Sequence, residues 1–375
     1  MKKDVLVFFS LVYILLSLNL VIAQTVDEKI MDLIYSARIR QADSLIDAQI
    51  KKYPDNPKYY LLKAHHGFYK PYWANWNLPR DSIFQVIVDY SLKAIEIGEK
   101  TEETTEIKLY IGSAYGYLSR IYIIRQEWWD AFWAGWHCKN YLEDVLDEDP
   151  QLQDAYIGLG AIEYYTARLD GWQAFVAWLG CMSGETDTGL EYFKNTVEKG
   201  NLFKNEATFI LSLLYRFYET DFNQSNIYLS KLNFKYPDNR FISGLYFQSR
   251  LIQLIEEKGI AFLEGNIDSL KDLYHIDNSI VLNNIGYNFS GQKKHDIAMA
   301  IFKLNIRLYP NEANPYDSIA ECYQTLGQNK EAVKYSKIAL EKLPSDTSIN
   351  EEFRERLRVI LETRLEELES KISAE

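Results

Sequence analysis

Cysteine, histidine and basic charge are all in short supply in this chain, and each shortage removes a class of function. Three cysteines in 375 residues, Cys138, Cys181 and Cys322, are too few for a disulfide framework. In an oxidising compartment Cys138 and Cys181 can bridge and leave Cys322 over. The plainer expectation is three buried thiols on helices, where free cysteine usually packs. Lysine and arginine number 41 against 53 aspartates and glutamates, a formal charge of −12. That balance, with no basic stripe, repels a phosphate backbone and excludes nucleic acid as a partner. Of five histidines only His65 and His66 are neighbours. Adjacent side chains on a helix diverge, so these two cannot share an ion. No metal and no cofactor is expected.

The motifs of common catalytic sites are missing too. There is no phosphate-cradling G-x-x-x-x-G-K-[ST], no dinucleotide G-x-G-x-x-G after a strand, and no G-x-S-x-G nucleophile turn. Asp154, Glu163 and Arg168 are charges on an otherwise apolar stretch. Asp154 and Glu163 could be cast as the acid and base of a glycosidase, but at a rise of about 1.5 Å per residue they stand roughly 13 Å apart along a helix, too far for such a pair. A Glu163–Arg168 contact or plain solvent exposure is the expectation. No catalytic residue is assigned. Nothing alternates at period two over a useful length, so no sheet is expected.

Only the N-terminus approaches a long apolar run. Met1-Lys2-Lys3 is basic, Val5 to Leu18 is apolar apart from Ser10 and Ser17, and Val21-Ile22-Ala23 precedes Gln24. This has the form of a secretory signal peptide cleaved after Ala23. The alternative is an uncleaved N-terminal membrane anchor. No cysteine follows the run, which excludes a lipoprotein anchor.

What is present is a repeat. Ile285 and Ile319, Gly286 and Ala320, Phe289 and Tyr323, Ala298 and Ala332, and Pro310 and Pro344 form five pairs, each 34 residues apart. Small residues at 286, 320, 298 and 332 let two helices approach, the larger ones fill between them, and proline ends the second helix. Leu282–Pro310 and Tyr316–Pro344 resemble two consecutive tetratricopeptide (TPR) repeats. Asn305 and Ser336 depart from that pattern, standing where the family usually has a small apolar residue and an aromatic.

The resemblance implies an all-α fold: a TPR-like solenoid of helical hairpins, irregular in its N-terminal and middle parts. The expected division is a signal peptide over 1–23, a degenerate helical array over 24–276, two clear repeats over 277–344 and a capping helix over 345–375. In that last helix Phe353, Leu357, Ile360, Leu361, Leu365 and Leu368 form the apolar stripe, and residues such as Arg354, Glu355, Arg358 and Arg364 the wet face. The stretch 154–250 is also similar, at few positions, to atypical TPR proteins of bacterial envelopes and the outer mitochondrial membrane.

Aromatic residues make up 14% of the chain, and two segments concentrate them. In 127–136, Trp129, Trp133 and Trp136 share one helix face, with Trp128 and Phe132 beside it. Burial between hairpins is the expectation there; the alternatives are a stacking platform for sugar rings or a cradle for a peptide's apolar side chains. Trp73 and Trp76 fall in a segment bounded by Pro71 and Pro79, expected to be a loop, where an aromatic has less packing reason to stand.

The resemblance further implies a non-enzymatic scaffold that binds a protein or peptide partner, and the signal-peptide pattern leads to the expectation of a periplasmic or cell-surface protein associated with the envelope. In the family the first helix of each unit lines the concave face. The matching positions are Asn283, Tyr287, Asn314, Asp317, Glu321 and Gln324. Asp317 and Glu321, one turn apart, would form a negative patch for a basic ligand. A carbohydrate-binding or glycan-processing helical protein using the tryptophans is the rival class.

Overall fold

The computed structural model describes residues 24–73 and 80–374. Residues 1–23, expected to be a signal peptide, and Trp76 lie outside the described residues. Among the described residues there is no strand, and no helix is long and apolar enough to cross a membrane. Two compact units are present, one formed by Met1–Leu214 with Tyr228–Ser243, the other by Tyr215–Ile227 with Gly244–Glu375.

The first unit starts with α1 (Val26–Tyr35), α2 (Ile39–Lys52), α3 (Pro57–Trp73), α4 (Arg80–Lys100), α5 (Thr105–Ile124) and α6 (Trp128–Glu148). A capping box starts α1, where the Thr25 hydroxyl accepts from the Glu28 amide and the Glu28 carboxylate accepts from the Thr25 amide. The segment expected to be a loop after Tyr69 is instead helical as far as Trp73, with Pro71 inside the last turn of α3. After α6 a 3-10 turn (Gln153–Ala155) leads into α7 (Tyr156–Thr166). The short α8 (Gly171–Leu179) is inserted before α9 (Thr186–Lys199), and α9 pairs back on α7. Those two helices cross at glycines. A Cβ on Gly189 would stand 2.7 Å from the Tyr164 amide nitrogen, and one on Gly160 would stand 3.1 Å from the Gly189 carbonyl. Asp154 is no member of an acid–base pair. It is buried in the turn and accepts from the amides of Asn201, Leu202 and Phe203, fixing the start of α10 (Lys204–Phe217).

α11 (Phe222–Lys235) and α12 (Arg240–Lys258) follow. The second unit then contains α13 (Ile260–Gly265), α14 (Ile267–Leu273), α15 (Ser279–Gly291), α16 (His295–Leu308), α17 (Asn314–Thr325), α18 (Asn329–Lys342) and α19 (Glu351–Ala374). α15 with α16 and α17 with α18 are the two repeats in the register set by the 34-residue period. Gly286 lies under the Phe302 ring. Ile285, Phe289, Ala298 and Phe302 are fully buried in one cluster with Ile319. The unusual Asn305 is buried and has its own answer: its amide donates to the Ser279 carbonyl and to Asn283 Oδ1 at 2.9 and 2.7 Å.

One turn recurs in both units. Ala37, Gln126, Lys293 and Gly327 all take a left-handed φ (57°, 63°, 62° and 70°). In each case the next amide reaches back five residues, Arg38 to Leu33, Glu127 to Tyr122, Lys294 to Phe289 and Gln328 to Tyr323. This closure satisfies the carbonyls left over at a helix end, and Lys293 and Gly327 are again 34 apart. The array before residue 277 is therefore built, in part, from the same hairpin as the clear repeats.

α19 covers α18 through Leu357, Leu361 and Leu368. Two positions differ from the expected cap. Ile360 faces solvent, whereas Arg364 is buried on the packing seam, one turn from both Leu361 and Leu368, because it has a carboxylate to meet there.

Candidate functional site

That carboxylate belongs to Asp317, on the face expected to be the polar groove. Arg364 Nη1 lies 2.6 Å from Asp317 Oδ1. Burial raises the Asp317 carboxyl above its usual range, and Arg364 pulls it only partly back. Asn283 is buried and held by Asn305. The Tyr287 hydroxyl donates to Glu321 at 2.9 Å. Glu321 is exposed, and Asn314 and Gln324 are half-buried. The negative patch expected of Asp317 with Glu321 is thus reduced to Glu321, since the chain's own arginine neutralises Asp317.

Trp73 is not presented by a loop. It packs in the first unit among Tyr35, Tyr69, Phe209 and Phe241, with ring centroids 5.5–6.0 Å apart. The Trp73 face of the expected binding loop is core.

The tryptophans of α6 show the opposite departure. They were expected to be buried, yet Trp129 is 62% exposed and Trp133 54%. The stripe that α6 turns inward is Ala131, Ala134, Gly135, Cys138, Leu142 and Val145. Small residues stand there because α5 comes close: a Cβ on Gly112 of α5 would lie 2.8 Å from Leu142, and one on Gly116 3.4 Å from Cys138 Sγ. With one face shaved down for that approach, the bulky rings are left on the other. α8 adds to them. Trp172, Phe175 and Leu179 are exposed, Trp172 meets Trp128 edge to face at 6.4 Å, and the Phe132 ring lies against Gly180. The result is one apolar face bordered by exposed Glu127, Asp130 and Asp170. Arg168 at its edge lies 3.8 Å over the Tyr164 ring and donates to Thr186.

A second feature of the first unit is a buried charge cluster. Glu206 of α10 accepts from Tyr69 and Tyr117 at 3.1 and 2.7 Å and from Arg120 at 2.8 Å, with His65 Nδ1 at 3.3 Å. His66 points elsewhere, to Asp43 at 3.4 Å. Burial pushes the Glu206 carboxyl up, but the Arg120 guanidinium and His65 pull it further down, to about 2. With its oxygens held by Tyr69, Tyr117 and Arg120, this carboxylate ties α3, α5 and α10 together. The small cavity beside it, about 20 Å³, has room for one water. Sequence reasoning missed this cluster because its members are spread from residue 65 to 206 in no local motif.

The cysteines are free; Cys138 and Cys322 are buried and Cys181 is exposed, against the expectation of three buried thiols. Burial pushes the Cys138 thiol up to about 12. Glu163 accepts from the Glu185 amide.

No family model matches the chain, and no curated protein matches it. Solved structures do resemble it. They include the anaphase-promoting-complex hetero-tetramer Cut9–Hcn1 (14% identity, 88% of this chain and 58% of that one, TM-score 0.31). Another is the C-terminal part of a TPR repeat-containing protein from Cytophaga hutchinsonii (12%, 78% and 99%, 0.34). A third is yeast Tom70 (14%, 84% and 68%, 0.31). The chain spans 58% of the length of the first.

Proposed function

We propose that this chain is a non-enzymatic protein–protein interaction scaffold of the cell envelope, and that the aromatic face of α6 and α8 binds its partner polypeptide. The observation that carries this is the exposure of Trp129, Trp133, Trp172, Phe175 and Leu179 side by side. Contiguous apolar surface of this kind marks an interaction site, and tryptophan is the residue most often dominant in one. The rim selects the partner. Glu127, Asp130 and Asp170 are acidic, and no lysine or arginine stands between 126 and 138 or between 169 and 193. A surface made to lie on anionic lipid is rich in lysine and arginine. An apolar segment flanked by basic residues fits this one.

The tryptophans' exposure beside carboxylates also favours a carbohydrate ligand. Ring geometry argues against it. Phe132 with Trp133, and Trp133 with Trp136, stand at 75° and 80° to one another, so successive faces do not line up as a platform for consecutive sugars.

The test is a Trp129→Ser/Trp133→Ser variant with unchanged circular dichroism. Its partner, captured from envelope extract by the wild-type chain and then purified, should bind the variant at least tenfold more weakly. Undiminished binding refutes the assignment, and tryptophan quenching by soluble oligosaccharides at millimolar concentration would replace it with the carbohydrate reading. Envelope export rests on the Lys2-Lys3, apolar and Val21-Ile22-Ala23 pattern. Mass spectrometry of native protein should find an N-terminus at Gln24, and an intact N-terminus in the membrane fraction favours the anchor.

A further inference from the structure

The second unit contains a buried cation whose protein partners are all neutral. Arg216, in the last turn of α10, is 4% exposed. Its Nη1 donates to the Ser249 hydroxyl and its Nη2 to Gln248 Oε1 at 3.4 Å, while its Nε is buried with no acceptor. The guanidinium carbon lies 5.4 and 5.7 Å from the Phe217 and Phe222 rings. Burial pulls the group down to about 10, which still leaves it charged at pH 7. Two other guanidiniums among the described residues, Arg120 beside Glu206 and Arg364 beside Asp317, have a carboxylate within 2.8 Å. Arg216 instead borders an open cleft of about 550 Å³, lined also by Phe217, Thr220, Tyr287, Asn288, Gly291 and Gln292.

We infer that this cleft binds a monoanionic carboxylate carried on an apolar body, with Arg216 as the counter-ion. Each part of the lining has a use. A guanidinium matches a carboxylate through two parallel N–H groups. The exposed Phe217 and Tyr287 rings offer an apolar wall. Asn288 and Gln292 bond to each other through one N–H and one carbonyl at 2.8 Å, and each keeps further amide capacity for a ligand. Gly291 has nothing within 4 Å of where its Cβ would be, which leaves that wall open. A single cation, in a chain with net charge −12, suits one negative charge rather than a phosphate dianion. The site is independent of the aromatic face of the first unit. It also differs from the expected groove set, of which it shares only Tyr287.

The carboxylate could come from a free small acid or from an acidic side chain of a polypeptide, and the probes separate these. Saturation-transfer NMR on the full chain would use phenylacetate, phenylacetamide, inorganic phosphate, and an N-acetylated, C-amidated tripeptide with a central glutamate. Phenylacetate or the tripeptide should bind, and the tighter of the two identifies the source. Phenylacetamide should not bind, and phosphate should bind more weakly than the carboxylates. Arg216→Met should weaken carboxylate binding about ten- to a hundredfold, the worth of a charge-assisted hydrogen bond. Should Arg216→Met fail to fold by circular dichroism, Arg216→Lys and Asn288→Ala, each expected to weaken binding several-fold, carry the test. Absence of any carboxylate binding, equal binding by the folded arginine variant, or a preference for phosphate overturns the inference.

Discussion

Gly286→Ala and Gly291→Ala put the same methyl group into the same helix, α15, and should change stability in opposite directions. At Gly286 a Cβ would fall 2.4 Å from Phe302 Cε1 and 2.7 Å from its Cζ. Phe302 is fully buried in the cluster that joins the two repeats, so its ring has no free volume to swing into. Alanine is a better helix former than glycine by about 1 kcal/mol, but forcing a methyl group into a packed core costs about 1–3 kcal/mol. The balance at 286 is destabilising by up to about 2 kcal/mol. At Gly291 nothing lies within 4 Å of the added carbon, so only the propensity remains, and the variant should be more stable by up to about 1 kcal/mol. Urea melts followed by circular dichroism should separate the two midpoints on either side of the wild type. All eight tryptophans precede residue 179, so fluorescence follows the first unit and serves as a control. A second comparison tests the mechanism. Phe302→Leu should be destabilising alone, but the Gly286→Ala/Phe302→Leu pair should cost less than the two single changes together, because the shortened side chain vacates the space. A Gly286→Ala variant as stable as Gly291→Ala would show that the helices do not meet at 286 and would refute the register.

Other substitutions read the same packing and the buried charges. Ala320→Leu, at the equivalent buried position of α17, should cost about 1–3 kcal/mol in the same assay. Glu206→Gln leaves Arg120 buried without its counter-ion and should destabilise the first unit by about 3–5 kcal/mol. Because the Glu206 carboxyl is depressed to about 2 on folding, its stabilisation is complete above the ordinary carboxylate range and is lost as pH falls from about 5 towards 2, on the order of 3 kcal/mol. Tryptophan-monitored denaturation should therefore weaken more steeply with acid in the wild type than in Glu206→Gln. Arg364→Met strands the buried Asp317 and should lower the second unit's stability by about 3–5 kcal/mol, while Arg364→Met with Asp317→Asn should recover most of it. Recovery absent in the double variant would mean the arginine acts through packing alone.

The hairpins of the second unit could be read from sequence because their rule is local. A small residue where two helices touch, an aromatic a turn later and a proline at the end all fall within one period. The same hairpin was harder to see before residue 277 for a physical reason. Its turn needs one left-handed residue, and glycine marks that position only at 327. Ala37, Gln126 and Lys293 adopt it without glycine, held by the backward hydrogen bond of the following amide. The turn is thus legible from the backbone and illegible from the residue type.

For Asp317 and Trp73 the deciding neighbour is remote in sequence. Asp317 was placed on a wet groove because nothing near residue 317 shows that Arg364, 47 residues later, reaches it. Trp73 was placed on a loop because two prolines flank the segment, yet Phe209 and Phe241 close over its ring. For α6 the informative residues were the small ones. Ala131, Ala134, Gly135 and Cys138 fall at helical spacing opposite Trp129 and Trp133, and a helix with one small face and one bulky face packs the small side wherever its neighbour comes close. Gly112, Ser113, Ala114 and Gly116 make one side of the preceding helix thin as well, so that neighbour can come close. Taken together, the two small-residue stripes imply that the tryptophans face outward. The aromatic face was therefore legible once helix thickness, rather than hydrophobicity, was used to choose the buried side.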